Sequence, residues 1–196
     1  MRSIAIMASG SGTNAENIIK FFSNKKTAVV KLVLSNRREA LVLKRAEALN
    51  VKTCFFDYND FYTSGKVLNL LIENRIDFVV LAGFLWLVPE NILEKYKGRI
   101  INIHPALLPN YGGKGMYGEK VHKAVIENHD TETGITIHYV NSHYDEGDII
   151  FQARCRVEPS DTPDILASRV HALEYKYFPE IIEDLILNLR NPAERS

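Results

Sequence analysis

Five apolar runs, each short enough to be a strand, divide the first half of this chain: Ser3–Ala8, Thr27–Leu34, Lys52–Phe56, Phe78–Ala82 and Arg99–Ile103. They are continuous rather than alternating, which is the pattern of strands buried on both faces of a parallel sheet. Parallel neighbours need a crossover, usually a helix, and the intervening segments supply it. Asn14–Phe22 sets Ile18, Ile19 and Phe22 on one face, and further helices are expected from about Arg38 to Leu49, over Phe61–Asn74, and from Pro89 to near Gly98. The expected fold is therefore α/β: a Rossmann-like, mostly parallel central sheet with helices on both faces. In such sheets ligands bind beyond the carboxyl ends of the strands.

The second half reads differently. Asn110–Gly118 has no period and many glycines, as a mobile loop would, and Val121–Asn128 is helical. Gly134–Val140 and Asp148–Val157 are two longer strands around a polar loop, Asn141–Gly147, which predicts antiparallel strands in the C-terminal half. Asp161-Thr162-Pro163 starts a last helix that reaches about Leu189, with a bend expected near Pro179. No repeat or linker interrupts residues 1–196, so one domain is expected, with a phosphate-binding half over about 1–100 and a catalytic half over about 101–196. Lys+Arg and Asp+Glu both number 24, which leaves no basic field to attract nucleic acid. The first apolar run is too short to span a membrane, and two distant cysteines without a CxxC pattern suggest a reducing compartment, so a cytoplasmic location without membrane contact is expected.

Chemistry concentrates at the end of the fifth run, in Asn102-Ile103-His104-Pro105. Side chains two apart on a strand share a face, so an amide and an imidazole project together, and Pro105 ends the ladder beyond them. Such a pair suits a reaction in which negative charge develops on a carbonyl oxygen. Ser9-Gly10-Ser11-Gly12-Thr13-Asn14, between the first strand and first helix, is either a plain tight turn or a backbone cradle for phosphate. It lacks the Walker lysine and a third dinucleotide-loop glycine. If the cradle holds, Gly12→Val should weaken phosphate-dependent binding by blocking the anion. Asp145 is either an ordinary turn acid or the partner that raises the His104 pKa toward neutrality. His138 reads first as a satisfied strand histidine and second as an aid to orienting Asp145. His104, His122, His138 and His143 are scattered, with no metal-ligand spacing, so no metal is expected. Arg37-Arg38 reads first as a solvated face or turn charge, and second, through Arg37 just past a strand end, as a contact for a substrate acid.

Asn102-Ile103-His104-Pro105-Ala106-Leu107-Leu108-Pro109 resembles the NIHPSLLP signature of folate-dependent formyltransferases. The Ser9–Asn14 loop, Leu81-Ala82-Gly83-Phe84, Gly134–His138 and Tyr144–Ile150 match that family in the same order, so the resemblance runs from Ile4 to about Pro179. Joined to the phosphate loop, it points to the branch that acts on glycinamide ribonucleotide in purine biosynthesis. The implied reaction is attack of that amine on the formyl carbon of 10-formyltetrahydrofolate, with the folate as formyl-donor cosubstrate and no metal. By resemblance, Asn102, His104 and Asp145 are catalytic and His138 supports them. Ser11, Gly12, Thr13, Asn14, Glu174 and Lys114 would hold the ribonucleotide; Phe84, Leu85, Trp86, Leu87, Val88, Asn141, His143 and Tyr144 would hold the folate. The partners implied are these two small molecules; oligomeric state stays open, a homodimer included.

Two departures accompany the match. Many family members carry an arginine where this chain has Trp86, which puts a contact to the folate-tail carboxylates in doubt. Tyr111-Gly112-Gly113-Lys114-Gly115-Met116-Tyr117-Gly118 replaces a more compact stretch and reads as a substrate-closing loop. Two other activities share the motif: a 10-formyltetrahydrofolate hydrolase and a formyltransferase acting on another amine such as methionyl-tRNA. Relatives of these types usually add a domain at one end.

Overall fold

The computed structural model describes residues 1–189, so residues 190–196 of the expected single unit lie outside the described residues. In chain order the elements are β1 (Arg2–Met7), α1 (Thr13–Ser23), β2 (Ala28–Ser35), α2 (Leu41–Ala48), β3 (Lys52–Phe55), α3 (Tyr58–Tyr62), α4 (Lys66–Glu73), β4 (Phe78–Leu81), α5 (Glu90–Lys95), β5 (Ile100–His104), α6 (Glu119–Glu127), β6 (Glu132–Tyr139), β7 (Ile149–Arg156) and α7 (Pro163–Leu187). The strands form one seven-stranded sheet in the order β3-β2-β1-β4-β5-β6-β7. Pairings among β1 to β5 are parallel, while β5–β6 and β6–β7 are antiparallel. The expected sheet and its antiparallel extension are both present.

Strand alternation divides the core into two layers. Ile4 and Ile6 of β1 pack with Ile18 and Phe22 of α1 and with Phe178 and Ile182 of α7. Ala5 and Met7 face the other way, onto Phe61 of α3, Val67 and Leu71 of α4, and Ile92 of α5. The strands are thus apolar on both faces because helices cover both.

Two details differ from the sequence expectation, and a third shows how a proline is accommodated. The helix expected over Phe61–Asn74 is two helices: Asp57 and Asp60 form a capping box that starts α3 early, and Gly65 at φ 70° separates it from α4. The helix expected from Arg38 begins at Leu41, because Arg37–Ala40 closes a turn in which the Ala40 amide donates to the Arg37 carbonyl at 3.1 Å. Helix α7 runs through Pro179 as one element. Proline has no N–H for the carbonyl four residues back, here that of Tyr175. Asn17 Nδ2 of α1 donates to that carbonyl at 2.9 Å, so a neighbouring helix fills the gap.

Candidate active site

Strand β5 delivers Asn102 and His104 to its carboxyl end, and β6 sets its own residues beside them. The antiparallel register pairs Asn102 with His138 and His104 with Thr136. Asp145 arrives from the β6–β7 loop at φ 58°, a left-handed conformation that aspartate tolerates better than most residues. The Gly147 position closes that loop so tightly that a Cβ there would lie 1.7 Å from the Tyr139 carbonyl oxygen.

Hydrogen bonding sets the roles of the ring nitrogens. His138 Nδ1 lies 2.8 Å from the Tyr139 carbonyl oxygen, and a carbonyl only accepts, so Nδ1 carries the proton. At Nε2, His138 accepts from Asn102 Nδ2 at 3.1 Å. The second Asn102 amide hydrogen is directed to Asp145 Oδ1 at 3.4 Å. This amide orientation is the one that meets two acceptors at once. His104 Nε2 donates to the Tyr111 carbonyl oxygen at 2.8 Å, and its Nδ1 lies 3.5 Å from Asp145 Oδ2. Asp145 Oδ2 also accepts from the Gly113 N–H at 2.9 Å.

Burial decides the charge of His104, which is only 4% exposed. Loss of hydration pushes its pKa below the ordinary histidine value; the Asp145 charge and the Tyr111 carbonyl act the other way without cancelling it. Asp145 raises the His104 pKa as expected, but burial outweighs it, so the expected net shift toward neutrality is corrected. The resting imidazole is neutral, because desolvation of the cation outweighs one carboxylate at 3.5 Å. Burial acts on Asp145 as well and would raise its carboxyl. Its contacts with His138 and His104 and the hydrogen bond from the Gly113 N–H outweigh that and hold it below the usual carboxylate range.

The glycine loop is braced from three sides. Ser9 Oγ donates to Asn36 Oδ1 at 2.7 Å and accepts from the Leu85 N–H at 3.0 Å, while Arg45 Nε donates to the Ser11 carbonyl at 2.9 Å. Gly12 caps α1 in the left-handed conformation at φ 74°. The first-turn N–H groups of a helix have no intrahelical partner and favour an anion. The glycine itself is demanded by packing: a Cβ at Gly12 would lie 2.4 Å from Val42 Cβ of α2. Gly12→Val would disturb the α1–α2 junction whether or not an anion binds, so it does not isolate binding as expected from the sequence.

Glu174 of α7 is buried beside this loop, accepting from Asn14 Nδ2 at 2.8 Å and from His171 Nδ1 at 2.7 Å. The Glu174 hydrogen bond pushes the His171 pKa up. His122 of α6, buried nearby, has its pKa lowered by loss of hydration and then by the neighbouring His171.

A cavity of about 730 Å³ joins these groups, within the ~300–1,000 Å³ range of small-molecule sites. Asn102, His104 and Asp145 line it together with Ser11, Gly12, Thr13, Asn14, Lys114 and Glu174, and with Phe84, Leu85, Trp86 and Tyr144. Five residues named from the sequence lie outside its wall. Val88 is buried in the core, and the Leu87 carbonyl accepts from the Tyr62 hydroxyl at 2.7 Å. Asn141 Oδ1 accepts from the His143 N–H at 2.9 Å to close a turn, and the His143 ring is exposed. His138 sits behind Asn102 and Asp145.

Sequence reasoning passed over His171 and treated His122 only as a scattered histidine; both line the cavity. It also missed Thr136 and Gln152, which hold the Pro105–Pro109 turn. Thr136 Oγ1 donates to the Ala106 carbonyl at 2.7 Å and accepts from the Leu108 N–H at 3.0 Å, and Gln152 Nε2 donates to the Leu108 carbonyl at 3.0 Å. The one available signal was that Thr136 shares a strand face with His138. The Tyr111–Gly118 segment, expected to be a mobile loop, is tied at its start: the Tyr111 hydroxyl donates to Asp130 Oδ2 at 2.6 Å, and the Tyr111 carbonyl and Gly113 N–H bind His104 and Asp145.

An open α/β sheet with such a cavity beyond its strand ends has the ground plan of an enzyme for nucleotide-like substrates. The chain belongs to the formyl transferase family, whose model matches residues 2–182. It is 32% identical over 201 residues to phosphoribosylglycinamide formyltransferase of Bacillus subtilis, covering 100% of both chains. It is 36% identical over 213 residues to the chloroplastic phosphoribosylglycinamide formyltransferase of Arabidopsis thaliana, covering 98% of this chain and 73% of that one. Among solved structures, phosphoribosylglycinamide formyltransferase from Bacillus halodurans superposes with a TM-score of 0.86 at 36% identity, covering 97% of this chain and 98% of the other.

Proposed function

We propose that this chain transfers the formyl group of 10-formyltetrahydrofolate to the amine of glycinamide ribonucleotide, the step in purine biosynthesis for which its relatives are named. The observation that carries the reading is one cavity holding Asn102, His104 and Asp145 beside the Ser11–Asn14 loop. The ribonucleotide phosphate rests on the N–H groups that open α1, and Glu174, its carboxylate held by Asn14 and His171, meets the sugar or glycinamide end. Lys114, exposed on the strap, adds a cation at the phosphate side.

As the amine attacks, charge builds on the formyl oxygen. His104 gives its Nε2 hydrogen to that oxygen in place of the Tyr111 carbonyl, and Asn102 turns its longer hydrogen bond, the one to Asp145, toward it. Asp145 stays ionised at neutral pH, holds the His104 ring in place and accepts the amine proton through water. As the tetrahedral intermediate collapses, the bond from the formyl carbon to folate N10 breaks and N10 takes the proton that Asp145 accepted, which leaves N-formyl ribonucleotide and tetrahydrofolate.

Incubation with 10-formyltetrahydrofolate, with and without glycinamide ribonucleotide, tests the reading. Tetrahydrofolate should appear only when the ribonucleotide is present; equal release without it would make the chain a hydrolase.

A further inference from the structure

The cavity has two chemically different ends, and the sheet separates them. Asn14, His171 and Glu174 lie where α1 meets α7, above one face of the sheet. Phe84 and Trp86 belong to the core layer of the opposite face, with Phe56, Phe61 and Tyr62. A charged ribonucleotide suits the first end. The second suits a flat, apolar ligand, and the formyl donor supplies one in its pteridine and aminobenzoyl rings.

Trp86 is held unusually firmly for a half-buried cavity residue. Its ring centroid lies 6.1 Å from Phe56, 5.9 Å from Tyr58, 6.0 Å from Phe61 and 5.9 Å from Tyr62, all within the range of favourable ring pairs. Tyr62 is pinned by its hydroxyl to the Leu87 carbonyl, and Tyr58, 65% exposed, carries the aromatic surface outward to solvent. Of the charges on α3 and α4, Asp60 accepts from Lys66 at 2.9 Å and closes the α3 capping box, while Arg37 lines the cavity.

We propose that Trp86, backed by Phe56, Tyr58, Phe61 and Tyr62, determines donor specificity by stacking on the aryl part of the donor, so that the donor's terminal glutamate contributes little to recognition. The inference rests on the formyl-transfer reading. A ring wall gains from flat apolar area and is indifferent to carboxylates, whereas an arginine at this position would gain mainly from them. An immobilised indole also loses little side-chain freedom when the donor binds, so more of the stacking energy appears as affinity.

The test compares the 10-formyl donor with and without its glutamate, in the unmodified protein and in Trp86→Ala and Trp86→Phe. In the unmodified protein, removing the glutamate should change donor KM by less than about threefold, under half of the 1.4 kcal/mol that a tenfold change represents. Trp86→Ala should raise donor KM about tenfold or more, with kcat and ribonucleotide KM little changed, and Trp86→Phe should recover most of the loss. A tenfold or greater rise on glutamate removal, or an unchanged donor KM in Trp86→Ala, overturns the proposal. The glutamate arm needs no variant and decides the matter even if Trp86→Ala does not fold. If neither donor formylates the ribonucleotide in the unmodified protein, the formyl-transfer reading itself has failed, a different result from either of these.

Discussion

Gly12 and Asp145 both sit in left-handed conformations at the rim of one cavity, for opposite reasons. Gly12 belongs to the parallel half of the sheet and is there because nothing larger fits against Val42. Asp145 belongs to the antiparallel half and is there because its carboxylate must reach two histidines, each at 3.5 Å. The parallel half thus offers a ligand its main chain, fixed by packing, while the antiparallel half offers titratable side chains, fixed by hydrogen bonds. Damage to the two should look different: lost stability in the first, lost turnover in the second.

His104→Ala should break the second most severely. Removal of a positioned proton donor costs about 10²–10⁴ in kcat, while calorimetry should find ribonucleotide affinity retained; an unchanged kcat would remove His104 from the chemistry. Asn102→Ala comes next, at roughly 10²-fold in kcat, part of it through Asp145 and His138 losing their shared donor, which steady-state kinetics will read.

Gly12→Val should act through the fold instead. Overpacking against Val42 costs about 1–3 kcal/mol, visible as a lower urea midpoint without any ligand. Gly10, where a Cβ would meet nothing within 4 Å, is the control: Gly10→Ala should leave the midpoint within about 0.5 kcal/mol of the parent. Equal destabilisation by both would erase the distinction drawn between the halves.

Acidification provides a gentler test. His104 and His122 have pKa values lowered by burial. Below the unfolded histidine value of about 6.5 the unfolded chain therefore binds protons that these sites refuse, and stability falls as pH drops toward their folded values. His171, raised by Glu174, works in the opposite sense: its stabilisation is fully present below about 6.5 and fades as pH rises through its higher folded value. The urea midpoint should decline between about pH 7 and 5.5, less steeply in His122→Asn and more steeply in His171→Asn; no change in slope in either variant would refute these assignments. The smallest effect is reserved for Asn17→Ala, far from the chemistry. It should cost about 0.5–1.5 kcal/mol by stripping the Tyr175 carbonyl of its donor, with kcat unaffected.

Much of this was readable along the chain because it depends on near neighbours. The parallel strands announced themselves as apolar runs, and the Asn102–His104 pair followed from the two-residue period of a strand. The phosphate loop was visible as glycines placed between a strand and a helix. Errors arose where one local signal overrode another or where a distant residue intervened. Gly65 and the Asp57 capping box split a helix whose apolar pattern was continuous, and Asn17 supplied the hydrogen-bond donor that Pro179 lacks. Leu87, Val88, Asn141 and His143 stood in matching segments yet lie outside the cavity wall, since the segment fixes a neighbourhood and the backbone path decides which side chains face inward.

By itself, then, the sequence determined the α/β class, the strand that carries Asn102 and His104 and the glycine loop that opens the first helix, because period and turn chemistry are local properties. Only the tertiary structure decided the charge of His104, the true partner of Gly12 and the ring wall around Trp86. Desolvation, steric fit and aromatic packing are set by residues that lie far apart in the chain and meet only when it folds.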